Sequence, residues 1–308
     1  MAAEAAGVGV RDARRGSGTR IVTPTISVRK RLREIWLSRE LLIYLVRTEI
    51  KVKYKNSALG LVWSMVAPAM TLAIYFFVFS ILLDNKMPNF VIYLFAGLLL
   101  WNLFSLGVLT GTGVVVNNAG IVKKVSFPRE ILALAAVGSA CVFFFFQAIV
   151  MVIFMVILRA PPDPLYFPLL ILALIAGVIL ASGLAVLLSS VNVYLRDTQH
   201  LIEVILTAWF WACPIVYPYQ TVEAKLGPHH LSWVYLANPM VPLILAFQRC
   251  LYNKPTAIIN GVYTVILPQH GYLWYTVLVG AVFVLGVVLF LVALATFGRL
   301  EGNFAEEL

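Results

Sequence analysis

The residues best equipped for chemistry share one short loop, VVVNNAGIVKKVSFPRE, where Lys123 and Lys124 precede Phe127, Pro128, Arg129 and Glu130. Charges of both signs around one aromatic ring suit charge-assisted contacts while the ring fills a pocket on another surface. That is docking chemistry, as a mechanical coupling point requires, although a solvated loop has the same composition and the loop alone does not separate the two. A second set is the basic series Arg29, Arg33, Arg39, Arg47, Lys51, Lys53 and Lys55, interleaved with Leu32, Ile35, Trp36, Leu42, Val46 and Ile50 at near-helical spacing. It reads as an amphipathic interfacial helix over 28–57, apolar face on a membrane and basic residues at anionic headgroups. Packing on a partner would produce the same pattern, and the two readings are compatible.

Bond-making constellations are missing from the sequence. Cys141, Cys213 and Cys250 are scattered, which gives neither a disulfide framework nor metal-ligand spacing. His200, His229, His230 and His270 read as loop residues outside any HExxH pattern. There is no GxSxG elbow and no GxxxxGK[ST] phosphate loop. The chain is therefore expected to hold no catalytic residue, cofactor or metal of its own.

The elements that position these residues are six uncharged apolar stretches: 58–83, 90–113, 131–158, 167–191, 204–222 and 272–297. A helix needs about 20 apolar residues to cross ~30 Å of hydrocarbon, and in lipid a helix satisfies its own backbone. With 61% hydrophobic residues and mean hydropathy +0.92, the fold class is an all-α polytopic membrane protein with six transmembrane helices. Thirteen of the 23 Lys and Arg lie in the first 57 residues. With both termini cytoplasmic, the inner segments hold eighteen of these charges and the outer segments five, as the positive-inside tendency requires. The net charge of +9 then needs an anionic leaflet rather than a nucleic acid.

Residues 1–27 read as a basic, disordered extension without a cleavable signal, and 298–308 as a cytoplasmic tail. Between the fifth and sixth spans, Pro214 and Pro218 interrupt the pattern and Asn238-Pro239 marks a helix start. The apolar helix over 240–251 is too short to span, so a re-entrant region is expected over 231–252, at the outer mouth of a path. Glu203, Arg196 and Asp197 are placed at the inner end of the fifth span and Asp84 at the outer end of the first. That leaves no ionisable group near the midplane for an ion-coupled carrier, and any driving force must arrive through a partner.

The passages RTEIKVKYKNSALGLVWSMVAPAM, KKVSFPRE, NVYLRDTQH and GRLEGNFAEEL, in this order between six spans, resemble the membrane subunit of ABC-2 type exporters of lipid-linked polysaccharides. These are the Wzm-type permeases of O-antigen and teichoic acid export. The resemblance covers most of residues 28–308. It implies a plasma-membrane homodimer joined to two copies of a separate ATPase, which binds ATP and Mg. It further implies that Asn117, Asn118, Lys123, Lys124, Phe127, Pro128, Arg129 and Glu130 form the ATPase-coupling segment, and that the helix over 28–57 is a gate at the cytoplasmic entrance. Tyr194, Arg196 and Asp197 match a second cytoplasmic loop expected to pack against the gate helix. Within the family the similarity leans toward the galactan exporters of mycobacteria and other actinobacteria, so a polyprenyl-pyrophosphate-linked galactan is the expected substrate.

Sugar rings present apolar C–H faces to flat side chains, which makes Trp101, Phe143, Phe146, Trp209, Trp211, Tyr217 and Tyr219 path candidates, although most membrane-protein aromatics face lipid or its interface. Gly107 and Gly111 form a GxxxG that serves either dimerisation or packing within the chain. Two rival classes remain: an ABC-2 permease for drugs or lipids, and a polytopic enzyme acting on lipid-linked sugars.

Overall fold

A computed structural model describes residues 28–308 apart from 54, 56–59, 83–86, 126, 230 and 260–261. The expectations for 1–27, Asp84 and His230 fall outside the described residues. The basic segment forms two helices, α1 (Val28–Leu37) and α2 (Arg39–Lys53). A helical run then begins at Gly60, continues as α3 (Trp63–Phe76) through Pro68 and loosens to π-type winding over Phe77–Leu82. After it come α4 (Phe90–Asn117), α5 (Ala119–Val122), α6 (Glu130–Ile157), α7 (Phe167–Tyr194) and α8 (Thr198–Trp211). The remainder is α9 (Tyr219–Leu226), α10 (Ser232–Leu236), α11 (Met240–Leu251), a hairpin of β1 (Thr256–Ile259) and β2 (Val262–Val265), α12 (Tyr272–Leu300) and α13 (Phe304–Glu307).

Among the described residues, four helices are long and apolar enough to cross a membrane, those built around α4, α6, α7 and α12. Their starts match the expected spans to within one residue because an uncharged run longer than the hydrocarbon thickness leaves no other solution. α4 carries buried residues on every side and is the central helix, with α6 and α7 packed along it and α12 along α7. Small residues set these distances. A Cβ on Gly111 would lie 2.6 Å from that of Ala185 on α7, while Gly107 faces Val137 and Ala140 on α6. The GxxxG is therefore consumed inside the chain.

Two expected spans differ. The first is the broken helical run to Leu82, and the fifth is displaced: α8 starts at Thr198, six residues before 204, and stops at Trp211, where 204–222 was expected to be one span. Glu203, taken for a boundary, lies inside the helix. Pro214 and Pro218, which lack an N–H, end it early. α8 is 14 residues long, about 21 Å. The hairpin was not anticipated; its sequence signal is Asn260-Gly261 between β-branched runs.

Candidate functional site

Three constructions stand out, one at the end bearing the basic helices, one within the bundle and one at the opposite end.

At the basic end, Arg31 sits on α1, a residue that sequence reasoning did not single out. Its guanidinium donates to Glu130 Oε1 at 2.9 Å and to Glu301 Oε2 at 2.8 Å. Arg129 lies 3.7 Å from the same Glu301 carboxylate and donates to the Glu301 carbonyl at 3.1 Å. The Glu130 side chain is 0% exposed and that of Arg31 19%. Two cations and two anions cancel here, and the fork of Arg matches the carboxylates. Gly298 leaves room for the guanidinium: a Cβ there would lie 2.7 Å from Arg31 Nε. Thus α1, the start of α6 and the C-terminal tail meet in one charge network.

This placement corrects part of the expected coupling surface. Glu130 is sealed inside and Arg129 is engaged with the tail, so neither offers its charge outward. Phe127 is half-buried against the core. The exposed face consists of Asn117, Lys123 and Lys124 together with Ile121 and Val125, two apolar residues that the sequence reading passed over; Asn118 is half-buried and Pro128 likewise. Asn117, Asn118, Ile121, Lys124 and Val125 line a shallow hollow of about 470 Å³.

Tyr194 donates to the Leu300 carbonyl at 2.7 Å and packs edge-on against Phe304. The second loop therefore seats on the tail, where the gate helix was expected. Arg196 and Asp197 are exposed beside a hollow of about 660 Å³ that reaches Glu307.

Arg29, Arg33, Arg39, Arg47, Lys51, Lys53 and Lys55 are all exposed. α2 is not set apart from the bundle. Val46 meets Gly138, Glu49 accepts from Ser139 at 2.7 Å, and Lys53 Nζ lies 4.3 Å above the Phe143 ring. These pairs advance together along both helices, so α2 runs lengthwise on α6, whose Gly138 and Ser139 admit it closely. Trp36, Leu37, Tyr44 and Val52 remain exposed, leaving an apolar strip outside the protein.

Between the two ends, α3, α4 and α8, with Gln147 of α6, border an open cleft of about 620 Å³. Trp101, Trp211, Tyr75 and Phe210 supply its aromatic surface, and Asn102, Gln147, Thr207 and Glu203 its polar surface. Asn102 donates to Gln147 at 3.0 Å. Of the aromatic candidates, Trp101 and Trp211 line the cleft. Trp209 stands behind, edge-on to Phe104, its indole N–H donating to Asn238 at 2.8 Å. Phe143 lies under Lys53, and Phe146, half-buried on α6, is not among the lining residues. Because α8 begins early, the Glu203 carboxylate, exposed on α8, stands among the cleft's amides and hydroxyls.

At the opposite end the chain unwinds after α8, and its freed carbonyls are met by side chains. The Tyr93 hydroxyl donates to the carbonyls of Pro214 (3.0 Å) and Tyr217 (2.9 Å). Gln248 donates to Pro214 at 2.8 Å, Asn238 to Ala212 at 3.2 Å and Tyr217 to Trp211 at 2.7 Å. Buried non-helical backbone persists only when such partners exist. Tyr217 and Tyr219 are thereby removed from the cleft: Tyr219 is buried and donates to Glu223 at 2.8 Å. α11 begins where expected, the Asn238 side chain accepting the Met240 N–H at 3.1 Å, and lies buried against α4 and α7.

The whole is a multi-helix body with an open amphipathic cleft and a charge-knit base. The profile of the ABC-2 type transporter family matches residues 40–252, and the chain belongs to that family. It is 31% identical over 224 residues to the O-antigen export system permease protein RfbA of Myxococcus xanthus, covering 72% of this chain and 84% of that one. A protein of the same description from Klebsiella pneumoniae shares 27% over 267 residues, 87% of this chain and 94% of the relative. A further Klebsiella pneumoniae protein shares 26% over the same length. The resemblance to Wzm-type permeases thus holds, and the chain is the membrane subunit of a transporter, a multi-pass membrane protein.

Proposed function

We infer that this chain forms the path by which an ATP-driven exporter moves a polyprenyl-pyrophosphate-linked polysaccharide, a galactan or a related O-antigen-like glycan, across the plasma membrane. The observation that carries the reading is the cleft between α3, α4, α6 and α8, where indole and phenyl faces alternate with amides and hydroxyls. Such a wall suits sugar rings, which need both flat apolar contact and hydrogen bonds.

The α3 run, and α8 together with the unwound chain that follows it, complete six spans, with both termini cytoplasmic and α10–α11 re-entrant from the outside. The cleft of one chain is half of a conduit, and a homodimer closes it. Two copies of a separate ATPase bind ATP and Mg and seat on Asn117, Ile121, Lys123, Lys124 and Val125. Movement of residues 114–130 reaches the gate formed by α1 and α2 through Glu130 and Arg31, and the tail couples in through Glu301. Exposed bases from Arg29 to Lys55 attract the carrier pyrophosphate.

Depletion of the protein followed by carrier-lipid analysis tests this reading. Full-length glycan should accumulate on the cytoplasmic leaflet. Loss of the glycan altogether would indicate synthesis instead, and an unchanged glycan pool with impaired drug or lipid efflux would indicate a different cargo.

A further inference from the structure

A second cavity, about 390 Å³, lies at the end opposite the Arg31 network, away from the cleft. Its walls come from α9, α10, the segment after β2 and the first turn of α12. One wall is aromatic. His270 stacks on Trp274 with ring centres 4.5 Å apart and planes 28° from parallel, and Tyr275 braces the indole edge-on at 4.9 Å. The facing wall is polar. Glu223 is held by the Tyr219 hydroxyl on Oε2, while its Oε1 and the side chains of Gln220 and Ser232 make no hydrogen bond within the described protein.

The lining discriminates among ligand classes. A lipid chain would leave the carboxylate, amide and hydroxyl desolvated without partners, a costly arrangement. A phosphate or carboxylate would meet the Glu223 charge, and Lys225 is the basic residue nearest in sequence. A neutral sugar residue satisfies both walls: its C–H face lies on Trp274, and its hydroxyls bond Glu223, Gln220 and Ser232. The volume falls within the range of small-ligand sites.

We propose that the cavity bounded by Trp274, His270, Glu223, Gln220 and Ser232 is a sugar-binding subsite that holds the polysaccharide after it leaves the cleft. This rests on the export reading, in which this end faces outward. Occupancy there opposes slippage back into the path between strokes of the ATPase, because each retained sugar must be released before the polymer can reverse.

The test uses the permease–ATPase complex in lipid nanodiscs, titrated with neutral oligosaccharides of several residues released by mild acid from the host's carrier-linked glycan. Saturation-transfer NMR or calorimetry should show binding that weakens roughly tenfold in both Trp274→Ala and Gln220→Ala, with Trp274→Phe recovering most of it. Gln220 is a partly exposed wall residue, so its variant tests the site even if Trp274→Ala fails to fold. No binding by the wild-type complex, or equal binding by these variants, overturns the subsite. Carrier-lipid analysis after depletion judges the export reading separately: accumulated cytoplasmic glycan with superimposed titrations sinks only the subsite, and intact sugar binding without accumulation sinks only the export reading.

Discussion

At the basic end, four full charges from three distant segments, Arg31, Arg129, Glu130 and Glu301, are cancelled against one another. At the opposite end, the unwound chain between α8 and α9 is held by neutral donors alone, the hydroxyls of Tyr93 and Tyr217 and the amides of Gln248 and Asn238. Buried charges are intolerant of losing one partner, so the three segments that share these four are held to one another. Neutral hydrogen bonds to carbonyls cost less to desolvate and fix a backbone shape. The cleft between the two ends carries aromatics, amides and one carboxylate.

The largest expected effect is at the charged end. Glu130→Ala removes one of the two carboxylates facing Arg31, leaving the Glu301 contact, and should cost about 3 kcal/mol, read as a fall in thermal unfolding temperature in detergent. The paired change Arg31→Met with Glu130→Leu should recover most of that loss; equal destabilisation by single and double variants would erase the contrast.

Tyr93→Phe removes the donor shared by two buried carbonyls and should cost about 1–3 kcal/mol in the same measurement. A loss exceeding that of Glu130→Ala would reverse the ranking of the two ends. Glu301→Gln keeps the shape of the side chain but weakens both arginine contacts, at about 1 kcal/mol. It sharpens the comparison functionally: ATP hydrolysis by the assembled complex should persist while transport falls. Trp211→Ala, at an exposed cleft position, should change stability by no more than ~0.5 kcal/mol, yet reduce glycan export measured by surface labelling.

Hydropathy made α4, α6, α7 and α12 legible, since a long uncharged run in lipid has one solution. It misplaced α8 because a glutamate that ends a helix and a glutamate within one, exposed on an open cleft, look the same in one dimension. Of the aromatic candidates, Trp101 and Trp211 line the cleft whereas Phe143, Phe146, Trp209, Tyr217 and Tyr219 do not, because aromatic type says nothing about which helix face is covered. Arg31 escaped notice among neighbouring bases: its partners Glu130 and Glu301 lie 99 and 270 residues away, and no periodicity spans such distances. The hollow beside Ile121 and Val125 was missed because apolar residues in a short loop carry no sign of being outward.

Composition and charge placement by themselves determined a membrane-embedded helical body and a basic segment at one end, because desolvation of charge and backbone is decided residue by residue. Only the tertiary structure decided which arginine is locked and which are offered to the surroundings, which aromatics face the cleft, and where an interrupted helix finds donors for its carbonyls. Those outcomes depend on contacts between segments remote in the chain, and packing is what selects them.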